Sequence, residues 1–458
     1  MTDSALPHVF FDEALPRFAQ AIVAEFGKDE LYQGVILRDA GGLLKFISTK
    51  TFASEEEKDT AADKLKSSVG NYARPDGVLA SGDAPGSQKL LTSPHALPIR
   101  TESGELRLID RRIIGAAWLD LPSDVISTPP RVVFASLKGG VGRSTALSVT
   151  AADLARRNKN VLVIDLDIEA PGIGNLLLDE ERLPRFGVVD YLIENGIGGI
   201  SDSYLSDFIG TSSLTSSSGG RVDVMPALGR DAVSNPGNTL AKLARAMIED
   251  IDGDGVSISF AQKLSGMVER FAKTNSYDVV LLDTKAGLSE VAAPAILGLG
   301  ASILLFGTAQ RQTIQGYEAL FAALNMLAGR DRAEGRPANW RLMFKSVYAK
   351  ASLDDRTAQR HRDNLYDLFA ENLYDEDVEG SPDVDAMSFD IDDPVAPHWP
   401  LIIPFAQGFV DFDPVFTETQ LTAGFYEQTY RQFLDGIDTL ITSTGAAEEP
   451  LEDVGHDQ

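Results

Sequence analysis

The segment FASLKGGVGRSTALSVTAADLARR, residues 134–157, constrains this chain more than any other. It reads as the end of an apolar strand, a tight glycine turn and a helix opening near Ser144. Gly139, Gly140 and Gly142 let the backbone turn sharply and aim its N–H groups at an anion. The helix start adds the positive end of its dipole. Leu147, Ala151 and Leu154 fall on the face such a helix buries. A loop of this kind belongs at the edge of a parallel sheet, and the flanking sequence supplies one. RVVFAS, VLVIDLD, VVLLDT, SILLFGT, RLMFKSV and LIIPF are apolar runs of strand length, suited to strands covered on both faces. Helical patterns alternate with them, clearest in Ile314–Leu327, where Tyr317, Leu320, Phe321 and Leu324 share a face. The expected architecture is an α/β fold over residues 131–443, a mostly parallel, doubly wound sheet flanked by helices.

Residues 1–120 lack that alternation and read as a small α+β domain without a chemistry motif. Phe10–Phe26 has helical spacing of Leu15, Phe18, Ile22 and Phe26, interrupted early by Pro16. GVILRD and LLKFIST read as strands joined by a turn at Asp39, Ala40, Gly41 and Gly42. Ser54 and Glu57 form a capping-box signature for a helix reaching about Val69. A polar stretch from Arg74 to Leu97 reads as a mobile loop, and ELRLID, 105–110, as a further strand. LPSDVISTPP, 121–130, reads as the linker into the second domain. TSSLTSSSGG, 211–220, has flexible-linker composition. The Asp- and Glu-rich stretch Tyr374–Pro397 reads as a solvated loop, and residues 444–458 as an acidic, disordered tail.

Charge and composition narrow the function. Lys and Arg number 41 against 68 Asp and Glu, so the net charge is 41 − 68 = −27. That field opposes nucleic acid and anionic membranes unless a local basic patch offsets it. With 0 Cys there is no disulfide framework or thiolate metal site, and the 5 His are scattered. The amino-terminal residues have no basic start followed by an apolar run, and no stretch reaches the roughly 18 apolar residues of a membrane span. These features lead to the expectation of a soluble, cytoplasmic protein.

The strict phosphate-loop pattern G-x-x-x-x-G-K-[ST] fails twice, at Leu137 and at Arg143. What matches instead is K-G-G-x-G-[K]-[ST]-T, with an added lysine at Lys138. This arrangement resembles the ParA/MinD-like family of deviant-Walker-A P-loop ATPases, of the SIMIBI class, over roughly two-thirds of the chain. The resemblance implies ATP and Mg²⁺ as cofactors. Gly139, Gly140, Val141, Gly142, Arg143, Ser144 and Thr145 would then cradle the phosphates, with Ser144 also on the metal. Lys138 would reach across an ATP-sandwich homodimer to the partner's phosphates. Arg143 departs from the pattern, since its planar guanidinium is bulkier than the lysine it replaces and not interchangeable with it.

Two acidic strand ends complete the implied site. NVLVIDLDIEAPGIG places Asp165 and Asp167 where α/β sheets bind ligands. By resemblance Asp167 handles the attacking water and Asp165 lies in the metal shell, with Glu169, Ala170 and Pro171 on a switch-like loop; either Asp also suits a turn cap. SYDVVLLDTKAGLSE resembles a Walker B element, in which Asp283 holds Mg²⁺ and the N–H of Gly287 approaches the γ-phosphate. Lys285 is either a phosphate sensor or a solvated lysine. The base would lie near Lys345–Tyr348 and Pro404–Gly408, and adenine rather than guanine rests on the resemblance alone.

The function implied is an ATP hydrolase acting as a dimeric switch that regulates or positions a protein partner. A second reading is a nucleotide-binding scaffold with little turnover, in an assembly such as a phage-defence or signalling complex. A tyrosine-kinase-like enzyme wants a tyrosine-rich carboxyl terminus, and GAAEEPLEDVGHDQ has no tyrosine. A DNA-partition ATPase wants exposed basic residues; Arg330, Arg332, Arg336 and Arg341 are the local candidates, against the net charge. Membrane cycling wants a basic amphipathic last helix, whereas the pattern Glu418–Ile441 runs into an acidic tail.

Overall fold

The computed structural model describes residues 8–215, 219–251, 253–375 and 387–445. The chain forms two units, residues 1–116 with 323–338, and residues 117–322 with 339–458.

In the first unit, helices α1 (Phe11–Phe26), α2 (Lys28–Gln33), α3 (Glu55–Val69) and α4 (Ser87–Leu91) accompany a five-stranded sheet. Its strands are β1 (Val35–Arg38), β2 (Leu44–Ile47), β3 (Leu79–Ala80), β4 (Leu97–Thr101) and β5 (Gly104–Asp110), in the order β3-β2-β1-β5-β4. The β1–β2 hairpin turns as its residues suggest: Asp39 accepts N–H bonds from Gly41 and Leu43, and Gly42 takes a φ of 90°. Ser54 caps α3 by accepting from the Glu57 N–H at 3.2 Å, while the Glu57 carboxylate reaches back to the N–H of Ala53, one residue earlier than a capping box requires. Phe18, Ile22, Leu65 and Phe46 close one core of this unit. The stretch Arg74–Leu97, read as loop, contains β3 and α4, because Leu79 and Leu91 are drawn into the sheet's two faces.

The second unit is the α/β layer. Its strands are β6 (Arg131–Ser136), β7 (Asn160–Leu166), β8 (Gly210–Thr211), β9 (Arg221–Met225), a small hairpin of β10 (Asp250–Ile251) with β11 (Ser257–Ile258), then β12 (Val279–Thr284), β13 (Ser302–Gly307), β14 (Phe344–Ala351) and β15 (Leu401–Pro404). Eight of them form one sheet in the order β15-β14-β13-β6-β12-β7-β9-β8, parallel throughout except at the β8–β9 edge. Every residue of β6, β12 and β13 is buried, as continuous apolar runs in the middle of a parallel sheet require. The helices are α5 (Arg143–Arg156), α6 (Ile173–Leu177), α7 (Val188–Gly198), α8 (Arg230–Ser234), α9 (Thr239–Ala246), α10 (Phe260–Ala272), α11 (Ala292–Leu297), α12 (Arg311–Ala333), α13 (Asp355–Asn372) and α14 (Ala423–Gly445). α12 begins in this unit, and its residues from 323 group with the first. One face of the sheet packs on α5 and α14, with Phe134, Phe306 and Phe433 in mutual ring contact at 5.7–6.4 Å.

Several segments depart from the sequence reading. RLMFKSV is not all strand: Asn339–Met343 wind into a 3-10 turn that buries Trp340 and directs Arg341 onto Asp375 at 2.7 Å, so β14 starts at Phe344. The stretch 121–130 is bonded to the turn before β13, Ser123 N–H to Leu297 and Ser127 to Gly300 and Leu299. Within 211–220, Thr211 belongs to β8 and Ser213–Thr215 form a 3-10 turn, while 216–218 lie outside the described residues. Of the acidic stretch Tyr374–Pro397, residues 376–386 also lie outside, but Met387 and Ala396 are buried, so its end is packed. The tail beyond residue 445 is likewise outside the described residues. Among those described, no helix is long and apolar enough to cross a membrane.

Candidate functional site

The strand order places β6 between β12 and β13, so the loop 137–142 leaves the middle of the sheet at its carboxyl edge. β7 and β12 are neighbours in register, with Asp283 opposite Asp165. Three carboxylates from two strands therefore collect beside the start of α5. Gly140 and Gly142 have φ values of 75° and 91°, the left-handed region that disfavours a side chain. Gly139 has no such angle, so of the three glycines expected to make the turn, only two are held to glycine by backbone conformation. Leu137, where the strict pattern has glycine, lies against Gly316 of α12, where an added Cβ would stand 2.9 Å from its Cδ1. The first N–H groups of α5 have no acceptor inside their helix and face the loop.

Arg143 and Ser144 tie this helix to the acidic strand ends. The Ser144 hydroxyl donates to Asp283 Oδ2 at 2.5 Å. Arg143 is almost fully buried and does not extend along the loop. Its Nε donates to Asp283 Oδ1 at 2.5 Å, its Nη1 to the Ser136 hydroxyl at 3.1 Å and its Nη2 to Asp167 Oδ2 at 3.2 Å. Burial raises the carboxyls of Asp283 and Asp167 above the ordinary range, with the Arg143 charge opposing that rise. Asp165 has zero exposure. Burial first, and the charge of Asp283 second, push it up to about 8. Its two oxygens accept the N–H groups of Asp167 at 3.1 Å and Gly172 at 3.2 Å.

Three of the expected site residues are engaged with other groups of the chain in this structure. Asp165, expected in a metal shell, accepts two N–H groups of the loop that follows β7. Gly287, expected to offer its N–H to phosphate, donates it to the Ser136 carbonyl at 2.9 Å, its φ of 95° making that turn. Arg143, expected among the phosphate contacts, is turned inward by the two carboxylates. Lys138 is exposed and donates to Gln310 at 3.1 Å. Lys285 forms an ion pair with Glu169, joining the loops after β12 and β7.

Of the expected base neighbourhood, Pro404 and Phe405 lie beside the loop, whereas Lys345 is turned away from it. Lys345 is buried on the carbonyls of Ala396 and Val395, its ammonium pushed down to about 8 by burial. The residue that reaches the loop is Lys350. It sits at a β-bulge of β14 in the left-handed region, φ 51°, and donates to the Gly140 carbonyl at 2.7 Å. With Val141, Thr145, Pro404, Phe405 and Tyr430 it lines a cavity of about 110 Å³. No motif marks Lys350. A larger cavity of about 700 Å³ lies away from the loop, and its cations Arg221, Arg270 and Lys273 are paired with Asp223, Asp202 and Glu269.

Ser144 Oγ and Asp283 Oδ2 suit Mg²⁺, which takes few protein oxygens and completes its shell with phosphate and water. Among the described residues, no group of three His, Cys, Asp or Glu side chains could hold a metal ion unaided. The donor chemistry thus fits a metal that arrives with phosphate.

The fold and site define a P-loop protein of the α/β class. Residues 129–193 match the ParA family model, described as NUBPL iron-transfer P-loop NTPase, and over the loop and its surroundings the chain is ParA/MinD-like. Among solved structures, a plasmid partition protein from Borrelia burgdorferi is 16% identical, with 64% of this chain and 96% of that chain covered and a TM-score of 0.35. Cobyrinic acid a,c-diamide synthase from Mycobacterium smegmatis, solved with ADP and magnesium, is 17% identical, with 69% and 96% covered and a TM-score of 0.37. The kinase domain of the Escherichia coli tyrosine kinase ETK is 19% identical, with 42% and 62% covered and a TM-score of 0.28. No curated protein matches the chain.

Proposed function

We propose that this chain binds ATP with Mg²⁺ at the 137–145 loop and works as a nucleotide-dependent dimeric switch on a protein partner. The observation that carries this reading is the meeting of Ser144, at the head of α5, with Asp283, at the end of β12, at 2.5 Å. That pair, with left-handed Gly140 and Gly142 ahead of a helix start, is the arrangement a phosphate-bound metal needs. The metal would neutralise charge on the phosphates. Gly139, Val141, Thr145 and the loop N–H groups would hold and orient them, and Asp167 would position the attacking water. Lys138, exposed on the loop, would serve a second copy's phosphates.

Two observations bear on the partner. Of the basic run, Arg336 is paired with Asp331 and Glu334, Arg341 with Asp375, and Arg330 is buried. A DNA patch made of these residues has little support, and at −27 the chain repels a polyanion. The scaffold reading is favoured by one contact: Arg143 occupies Asp167, the group that would handle water. Phosphate release from Mg·ATP, compared with the Asp167→Ala variant, separates the two. Slow turnover lost in the variant supports the switch. ATP binding without turnover in either protein sinks hydrolysis and leaves the scaffold.

A further inference from the structure

Lys350 stands in a backbone position that its side chain does not favour. Ala349 and Ala351 of β14 pair with Ile403 and Pro404 of β15, so Lys350 is the extra residue of the bulge. Its φ of 51° is left-handed, where glycine or asparagine would sit with less strain. It is also the one exposed residue of β14, every other position of which is buried. Strain of this kind beside a binding loop points to a use for the side chain. What it reaches is the Gly140 carbonyl, at 2.7 Å. That partner is neutral, whereas Arg143 is committed to two carboxylates and Lys285 to one. The charge of Lys350 is thus left for an incoming anion.

Two neighbours on α5 divide the site. Ser144 turns its hydroxyl to Asp283, on the metal side of the loop. Thr145 follows it about 100° around the helix and lines the small cavity with Gly142 and Lys350. A nucleotide whose metal and terminal phosphates lie at Ser144 and Asp283 extends its sugar end towards that cavity, where Phe405 and Tyr430 supply apolar walls. We therefore infer that Lys350 is a nucleotide-binding residue, its ammonium meeting the α-phosphate, the one next to the sugar, so that it holds ATP and ADP alike. The inference rests on the nucleotide reading above and keeps that reading's metal at Ser144 and Asp283. The terminal phosphate is left to the metal, the loop N–H groups and the start of α5. Lys350 then adds affinity without discriminating triphosphate from diphosphate.

The test is equilibrium binding of fluorescent ATP and ADP analogues to the full chain with Mg²⁺, comparing the wild type with Lys350→Gln and Lys350→Arg. Glutamine can still donate to the Gly140 carbonyl, so that variant removes the charge and little else. It should weaken both nucleotides by the same factor, about five- to twentyfold at low salt and less as salt rises. Lys350→Arg, which keeps the charge, should lose less than about threefold. A loss at least about fivefold greater for ATP than for ADP overturns the inference by placing Lys350 at the terminal phosphate. A loss that salt leaves unchanged and arginine does not recover also overturns it, marking a prop for the loop rather than a charge, and so does no loss at all. A wild type that binds neither nucleotide refutes the nucleotide reading itself, and this inference with it.

Discussion

Asp165 offers the sharpest check on how this site is built. It lies on a central strand with zero exposure, opposite Asp283. Burial and that neighbouring charge push its carboxyl from an ordinary 3.8 up to about 8. A group whose folded value is raised binds more protons in the native state, so its contribution is complete below the unfolded value and is lost as pH climbs through the folded one. For a single proton the loss is about 1.4 kcal/mol per pH unit, or up to about 4 kcal/mol between roughly pH 5 and 8. Asp165→Asn cannot titrate. Its amide keeps one acceptor for the Asp167 N–H but turns an NH₂ towards the Gly172 N–H, forfeiting one of two bonds at about 1–3 kcal/mol. The variant should therefore be the less stable protein near about pH 5 and overtake the wild type on the way to about pH 8. Urea unfolding of both proteins across this range, followed by circular dichroism, measures the difference directly. A stability gap that stays flat with pH, or widens in the wild type's favour as pH rises, would show that Asp165 is ionised throughout and refute the reasoning.

Two further outcomes follow from particular contacts. Lys350→Gly relieves a left-handed residue at φ 51° and should raise thermal stability by about 0.5–1 kcal/mol, while weakening ATP-analogue binding through loss of the cation beside Gly140; unchanged binding would remove Lys350 from the site. Arg341→Ala breaks a half-buried bidentate pair with Asp375 and a bond to the Leu373 carbonyl, and should cost about 1–3 kcal/mol in denaturant unfolding with no effect on nucleotide binding; a change below about 0.5 kcal/mol would show that the pair contributes nothing.

Much of the second unit was legible because its information is local. Six-residue apolar runs such as VVLLDT have one comfortable place, the middle of a covered parallel sheet, and β6, β12 and β13 are buried at every position. The loop 137–142 was legible for the same reason, since left-handed turns at Gly140 and Gly142 are written in the residues that make them. The carboxylates at 165, 167 and 283 could be placed at one sheet edge from strand ends alone.

What those groups do to one another was decided only in three dimensions. Arg143 sits 24 positions from Asp167 and 140 from Asp283 along the chain, and its direction follows from the buried charge that awaits it, which no spacing encodes. Asp165 stands opposite Asp283 because β7 and β12 are adjacent in register, and its oxygens accept the N–H groups of Asp167 and Gly172. Lys350 reached the loop because a bulge in β14 turned one residue out of the strand, and residues 323–338 grouped with the amino-terminal unit although α12 begins in the other. Elements follow from short-range periodicity and turn chemistry; ion-pair direction, proton affinity and unit membership depend on contacts between residues distant in the chain, which the sequence alone leaves unspecified.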